Sequence, residues 1–309
     1  MVSRALSPAS ARFRNGLCRL NFRHGSKPIR AFKRDFSVLD YYTKGRARLD
    51  IPEPASSPQS ALNTFSRTKA MAPMSWVLLS VETELVEPAR RHISNHKEEL
   101  DKLTTVETPP KISGRYIVKM FWYLMEFPIA AALAQFGSEA TPGEASKIDR
   151  VDVFLRLVHG GKHVANLAVL NIKDSRSVMK QAASLKAAVS PHANLLDALA
   201  KAEPTEPSRF CDISATYAQQ ATSYAAEYSC KYVAFFDWYS LFIFQFDAMA
   251  DSPPGPLAPA AFAGHVCYGL FAKGDTLQQI EHAILGFFLK PIHEWINQGQ
   301  HRGGPDTAS

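Results

Sequence analysis

Across residues 149–173 the chain reads DRVDVFLRLVHGGKHVANLAVLNIK, two stretches of alternating apolar and polar positions separated by Gly160-Gly161. Alternation with period two predicts a pair of β-strands, and the glycine pair between them predicts a hairpin. On the first strand Asp152, Phe154 and Arg156 share one face; on the second, Leu167, Val169, Asn171 and Lys173 do. A two-residue loop sets Asp152 opposite Val169, and a four-residue loop, 160–163, sets it opposite Asn171. These registers differ by two positions, and only an odd slip turns side chains over, so Asp152, Asn171 and Lys173 are expected on one side of the sheet. An acid, an amide and an amine then come within reach of one point.

The remaining pattern surrounds this hairpin with helices. Residues 76–103 carry helix-period apolar positions, with Pro88 as the first-turn proline of a second helical piece. Residues 116–136 are apolar nearly all round and predict a buried helix bent at Pro128. Glu126 stands out there, because an unpaired buried carboxylate is costly: it must reach solvent, meet a cation or face a metal. After the hairpin, residues 174–207 are rich in Ala and Lys and predict an insertion of one or two helices. Residues 210–228 predict a helix, and 231–247, KYVAFFDWYSLFIFQFD, two covered strands turning at 237–240. Four prolines make 251–260 a loop, 265–271 a short edge strand is expected next, and 275–297 predict a closing helix interrupted by Pro291.

Composition adds a boundary. The 309 residues are 46% hydrophobic and 21% charged, enough for one sizeable domain. The formal charge of +6 is uneven: residues 1–49 hold 12 Lys and Arg against 2 acids, while the rest holds 23 against 27. The first 34 residues contain no acid and seven Arg, the composition of a mitochondrial transit peptide, and Arg34-Asp35-Phe36-Ser37 is similar to the processing site of such leaders. A basic arm that touches nucleic acid gives the same composition. The expected organisation is therefore an arm or leader at 1–49, a Pro- and Ser-rich linker at 50–75, a single domain at 76–298 with an insertion at about 174–209, and a tail at 299–309. An intracellular site, mitochondrial or nuclear, follows from the same reading.

No uncharged apolar run reaches the roughly 18 residues that a membrane span needs; the nearest, 121–136, is interrupted by Glu126 and Pro128. The four cysteines are scattered without a CxxC pair, which speaks against a disulfide framework or a cysteine zinc site. His92 and His96 stand four apart at metal-ligand spacing, but without a third ligand nearby they read as a polar helix face. His159 and His163 read as solvated loop residues. GxSxG, GxGxxG and GxxxxGK[ST] are absent, against a serine hydrolase, a dinucleotide-binding enzyme or a P-loop kinase.

The order helix, hairpin, helix, paired strands resembles the PD-(D/E)XK nuclease-like superfamily, in particular uncharacterised fungal proteins with a degenerate version of its motif. Asp152 stands where that family has its metal-binding Asp, and Asn171-Ile172-Lys173 stands 19 residues later, where it has Glu/Asp-x-Lys. Gln220-Ala221-Thr222-Ser223-Tyr224 matches the Gln-xxx-Tyr motif that RecB-like members place on the following helix. The similarity covers about 76–247. It implies an α/β (α+β) fold with a restriction-endonuclease-like core, a central mixed sheet flanked by helices with extra N- and C-terminal helices. It also implies Mg²⁺ as cofactor, nucleic acid as partner, Asp152 as metal ligand and Lys173 as catalytic cation, with Gln220 and Tyr224 steadying substrate or helix packing.

One position departs from the pattern. Asn171 replaces the second acid, and an amide oxygen attracts Mg²⁺ much less than a carboxylate. Parity excludes Asp149 and Asp174 from the role, which leaves Glu126 as the candidate second ligand. The expectation is a nuclease-like protein with metal-dependent phosphodiesterase activity reduced or lost at Asn171. The alternatives are an inactive binding or scaffold module of the same fold, or a mitochondrial protein of unrelated role.

Overall fold

The computed structural model describes residues 16–22, 36–44, 76–105, 125, 127–133, 153–159, 162–173, 176–187, 190–191, 212–246, 265–271 and 277–301. In chain order these form β1 (Gly16–Phe22), β2 (Phe36–Ser37), α1 (Val38–Lys44) and β3 (Trp76–Leu79). A π-helical turn, Glu82–Val86, leads into α2 (Glu87–Asn95), followed by α3 (Lys97–Asp101), β4 (Thr104–Thr105) and α4 (Phe127–Leu133). The hairpin strands are β5 (Val153–His159) and β6 (Lys162–Ile172). A 3₁₀ turn, Met179–Gln181, then opens α5 (Ala182–Ala187), and β7 (Ser190–Pro191), α6 (Asp212–Tyr228), β8 (Tyr232–Phe236), β9 (Ser240–Phe246), β10 (His265–Phe271) and α7 (Leu277–His301) complete the chain.

The fold is α/β, built on a mixed sheet in the order β1-β5-β6-β8-β9-β10-β3-β7, with β2 and β4 paired separately. Its five central strands are β5, β6, β8, β9 and β10. β5 and β6 are antiparallel, β6 and β8 parallel, and β8 and β9 antiparallel. The parallel step needs a crossover, and α6 lies within it. Side-chain alternation divides the sheet into two covered faces. Leu155, Leu170, Ile172, Ala234, Phe236 and Ile243 meet helices α1, α2, α4 and α7 on one face, while Phe154, Val169, Val233, Phe235, Phe242 and Phe244 meet α6 on the other. Every residue of β8 and β9 is buried, which is why the two strands read as near-continuous aromatic runs.

The hairpin register combines both sequence alternatives. His159 pairs with Lys162, which leaves Gly160-Gly161 as a two-residue connection, but two register shifts follow, one between Leu157 and Val158 and one between Leu155 and Arg156. Each shift adds one residue to β6, so Phe154 lies opposite Val169 and Val153 opposite Leu170, the pairing of a four-residue loop. Two single-residue shifts preserve parity. Phe154 and Val169 therefore share the α6 face, and Leu167, the extra residue at the second shift, joins Ala168 on the opposite one.

Several expectations need correction. The packed part does not begin near Trp76: Val38, Leu39, Tyr41 and Tyr42 of α1 are buried in the main core, and Gln278 Nε2 donates to Tyr42 O and Thr43 O, both at 2.8 Å. The basic bias of residues 1–49 concealed this, because Phe36–Lys44 has only Lys44 as a basic residue and carries Phe36, Val38, Leu39, Tyr41 and Tyr42. β1, from the same arm, pairs antiparallel with β5. Residues 76–79 form a strand before the helices begin. β10 pairs with β9 on one side and β3 on the other, so it is not an edge. His159 and His163 belong to strands rather than a loop. Pro128 is the second residue of α4, where a missing N–H costs nothing, and α7 runs through Pro291 without ending.

The packing of α7 on the π-helical turn depends on one glycine. A Cβ at Gly286 would lie 2.1 Å from Leu85 O, so only hydrogen lets the two backbones approach. Lys290–Glu84 at 2.8 Å and Gln279–Glu82 at 2.9 Å bracket that contact. Among the described residues no helix is long and apolar enough to cross a membrane.

Candidate functional site

The carboxyl ends of β6 and β8 lie side by side because the strands are parallel, and the candidate residues gather there on the α6 face. The Lys173 N–H donates to Phe236 O at 2.7 Å, extending the ladder one residue past β6. Its side chain follows the parity of Val169 and Asn171 onto the α6 face. Nζ donates to Gln220 Oε1 at 2.9 Å and lies 5.0 Å from the Phe235 ring centroid and 5.7 Å from that of Tyr217. Two aromatic faces and an amide oxygen thus receive the ammonium, an arrangement that replaces lost hydration by quadrupole and dipole.

Gln220 and Tyr224 are four apart on α6 and face the sheet together; each is about 5% exposed. Tyr224 packs 6.4 Å from Phe235 and 6.3 Å from Tyr228, ring centre to centre, so its ring serves the helix packing. Asn171 pairs in register with Phe235 and is 4% exposed. Arg156 keeps the parity expected with Phe154, its guanidinium 4.8 Å from that ring. Asn166 Nδ2 donates to Tyr228 O at 2.7 Å, tying the middle of β6 to the end of α6. The structure therefore brings Asn171, Lys173, Gln220 and Tyr224 to one face. Asp152 and Glu126 lie outside the described residues.

The described residues do not by themselves fit a Mg²⁺ ion. Mg²⁺ takes hard anionic oxygens, and the near groups here are one ammonium, two neutral amides and aromatic rings. Among the described residues no group of three or more His, Cys, Asp or Glu stands together as a metal cluster. His92 is no exception: its Nε2 is 2.8 Å from Ala132 O, and its ring packs 4.6 Å from that of His96, centre to centre. Burial, helped by His96 and His293, pushes the His92 imidazole down to about 4.

Sequence reasoning located the turn at 237–240 but missed what Asp237 does in it. Its carboxylate is fully buried and accepts four backbone N–H bonds. Oδ2 takes Val178 at 2.7 Å and Met179 at 2.8 Å, and Oδ1 takes Ser240 at 2.7 Å and Tyr239 at 3.1 Å. One acid thus joins the segment after Lys173 to the β8–β9 turn. Burial pushes the carboxyl up to about 6 against the opposite pull of those four bonds. An Asp entering a turn before a Ser is a weak sign of backbone capping, and no local signal gives the second pair of donors, which come from about 60 residues away.

No family model matches the chain, and neither does any curated protein or any solved structure.

Proposed function

We propose that this chain is a PD-(D/E)XK nuclease-like protein with a restriction-endonuclease-like core, whose metal-dependent phosphodiesterase activity is reduced or lost and whose ligand is nucleic acid. The observation that carries the reading is the bond from Lys173 to Gln220, 47 positions apart. It joins two motifs that the resemblance treats as one site, the lysine ending the second hairpin strand and the glutamine on the next helix. The antiparallel β5–β6 pair, the α6 crossover and the parallel β8 supply the element order that the resemblance implies.

The same geometry supports loss of the chemistry. A lysine that steadies a developing phosphate charge must present its ammonium to that charge. Here the ammonium is engaged by Gln220 and two rings, beside an amide where the family has its second acid. No hydrolytic step is therefore assigned through a metal. The residues present are suited to anchor the sheet end and to hold a cation near a bound polyanion.

The test is a cleavage assay on single- and double-stranded DNA and RNA with Mg²⁺ or Mn²⁺ against an EDTA blank. The expected result is turnover at or near the blank for the native chain. Metal-dependent cutting that Asp152→Ala and Lys173→Ala each abolish would establish an intact nuclease and overturn the loss. Such cutting would leave the fold reading in place.

A further inference from the structure

Arg156, in the middle of β5, carries a charge that the described residues do not answer. Its guanidinium makes no hydrogen bond or ion pair with them. The side chain is half-buried, with Cζ 4.8 Å from the centre of the Phe154 ring and Nε buried without an acceptor. Buried donors in folded proteins are paired as a rule, so this one marks a place for an acceptor from outside the fold. The ring beneath is fixed by packing: Phe154 is 2% exposed and meets Tyr228 edge-on at 4.7 Å. A guanidinium covered on one face keeps its planar fork for in-plane acceptors, the geometry that matches two phosphate oxygens.

The neighbouring strand adds positive charge instead of removing it. Arg19 of β1 is the register partner of Arg156 in the antiparallel β1–β5 pair. Like charges directly opposite one another across two strands destabilise the pair, and an anion shared between them offsets that repulsion. β1 also belongs to the segment 1–49, with its 12 Lys and Arg against 2 acids, so the pairing ties the most basic part of the chain to the hairpin's outer strand. The place lies where α6 ends. Arg156 pairs in register with Asn166, whose Nδ2 is bonded to the carbonyl of Tyr228, the last residue of α6.

We propose that Arg156 is a phosphate contact for a nucleic-acid backbone that passes beside β5 at the end of α6. The inference rests on the reading above in taking nucleic acid as ligand, and adds a contact away from the candidate site. Asn166, the register partner of Arg156, stands five positions before Asn171 along β6, roughly 17 Å at ~3.4 Å per residue. A single phosphate or a mononucleotide fills one of these places, whereas a chain of phosphates meets both.

Binding of labelled DNA and RNA oligonucleotides of about 20 nucleotides to the full chain, followed by fluorescence anisotropy in EDTA from about 50 to 200 mM KCl, tests the proposal. Arg156→Gln is expected to weaken binding about tenfold and to lower the salt slope by about 1. Lys102→Gln removes the same charge from an exposed position beside α3, which packs on the other face of the sheet, and is expected to change affinity less than about threefold. Arg156→Lys, which keeps the charge without the planar fork, should fall between, and serves if the glutamine variant is poorly folded. Equal losses from Arg156→Gln and Lys102→Gln overturn the proposal. So does competition by inorganic phosphate, a mononucleotide or polyglutamate that equals competition by unlabelled oligonucleotide at the same charge concentration. Oligonucleotide binding that ignores Arg156 overturns this contact alone and leaves nucleic acid as ligand, while a native chain that binds no oligonucleotide overturns both.

Discussion

Replacing Asp237 by Asn separates two opposing forces on one buried carboxylate. The substitution keeps shape and one acceptor oxygen, but turns an amide NH₂ toward two of the four backbone donors now bound at 2.7 to 3.1 Å. Each donor left without an acceptor costs about 1–3 kcal/mol, so for two donors a loss of about 2–6 kcal/mol is expected. The pH dependence decides which force dominates. With the carboxyl raised from its ordinary 3.8 to about 6, the folded state holds a proton that the unfolded chain releases. Native stability from this group is then fully present below 3.8 and is lost as pH rises through about 6. Asn cannot titrate, so the gap between native and Asp237→Asn should widen by on the order of 1 kcal/mol on going from about pH 7.5 to about pH 5. Urea denaturation at several pH values, with m unchanged between the two proteins, measures that gap. A gap that narrows as pH falls would mean that the four amides outweigh burial and hold the carboxyl below its ordinary value, refuting the reasoning.

Three further outcomes follow from single contacts. Gly286→Ala should destabilise by about 1–3 kcal/mol or more, read from the denaturation midpoint, because the new methyl meets Leu85 backbone that cannot move without shifting the π-helical turn. Burial pushes the Cys230 thiol up to about 12, so it should stay unreactive to a thiol reagent at neutral pH until denaturant unfolds the chain. His92, held down at about 4 by burial, binds its proton less well folded than unfolded, so its share of stability is lost as pH falls from about 6.5 toward 4; His92→Gln should flatten that acid limb in a pH-dependent melting series.

The sequence carried the parts of this fold that local periodicity encodes. Alternation gave β5 and β6, the apolar aromatic runs gave β8 and β9, and the closing helix was visible in Ile280, Ile284, Phe287, Phe288 and Ile292, all buried. Past the hairpin's two register shifts parity survived, because an even number of them restores the faces, but Leu167, the extra residue at one shift, lies on the face opposite Val169 and not beside it as alternation had it. Long-range properties were not legible. α1 enters the core through Tyr41 and Tyr42, and the partners of Tyr42, Gln278 and His282, lie more than 200 positions away on α7, while basic neighbours dominated the composition of that stretch. β10 looked like an edge because its pairing with β3 joins segments at opposite ends of the domain. The candidate site was read through motif order: Asn171, Lys173, Gln220 and Tyr224 do share a face, while the engagement of Lys173 by Phe235 and Tyr217 depends on how α6 lies over the sheet.

The central claim is that Asn171 marks a lost acid in an otherwise retained nuclease-like site. Calorimetric titration of Mg²⁺ into the native chain and into Asn171→Asp, which changes charge at nearly constant volume, tests it most directly. The account predicts weak or unmeasurable binding to the native chain and binding at least about tenfold tighter in Asn171→Asp, since a carboxylate oxygen holds Mg²⁺ far better than an amide. Equal Mg²⁺ affinity in the two proteins would contradict it.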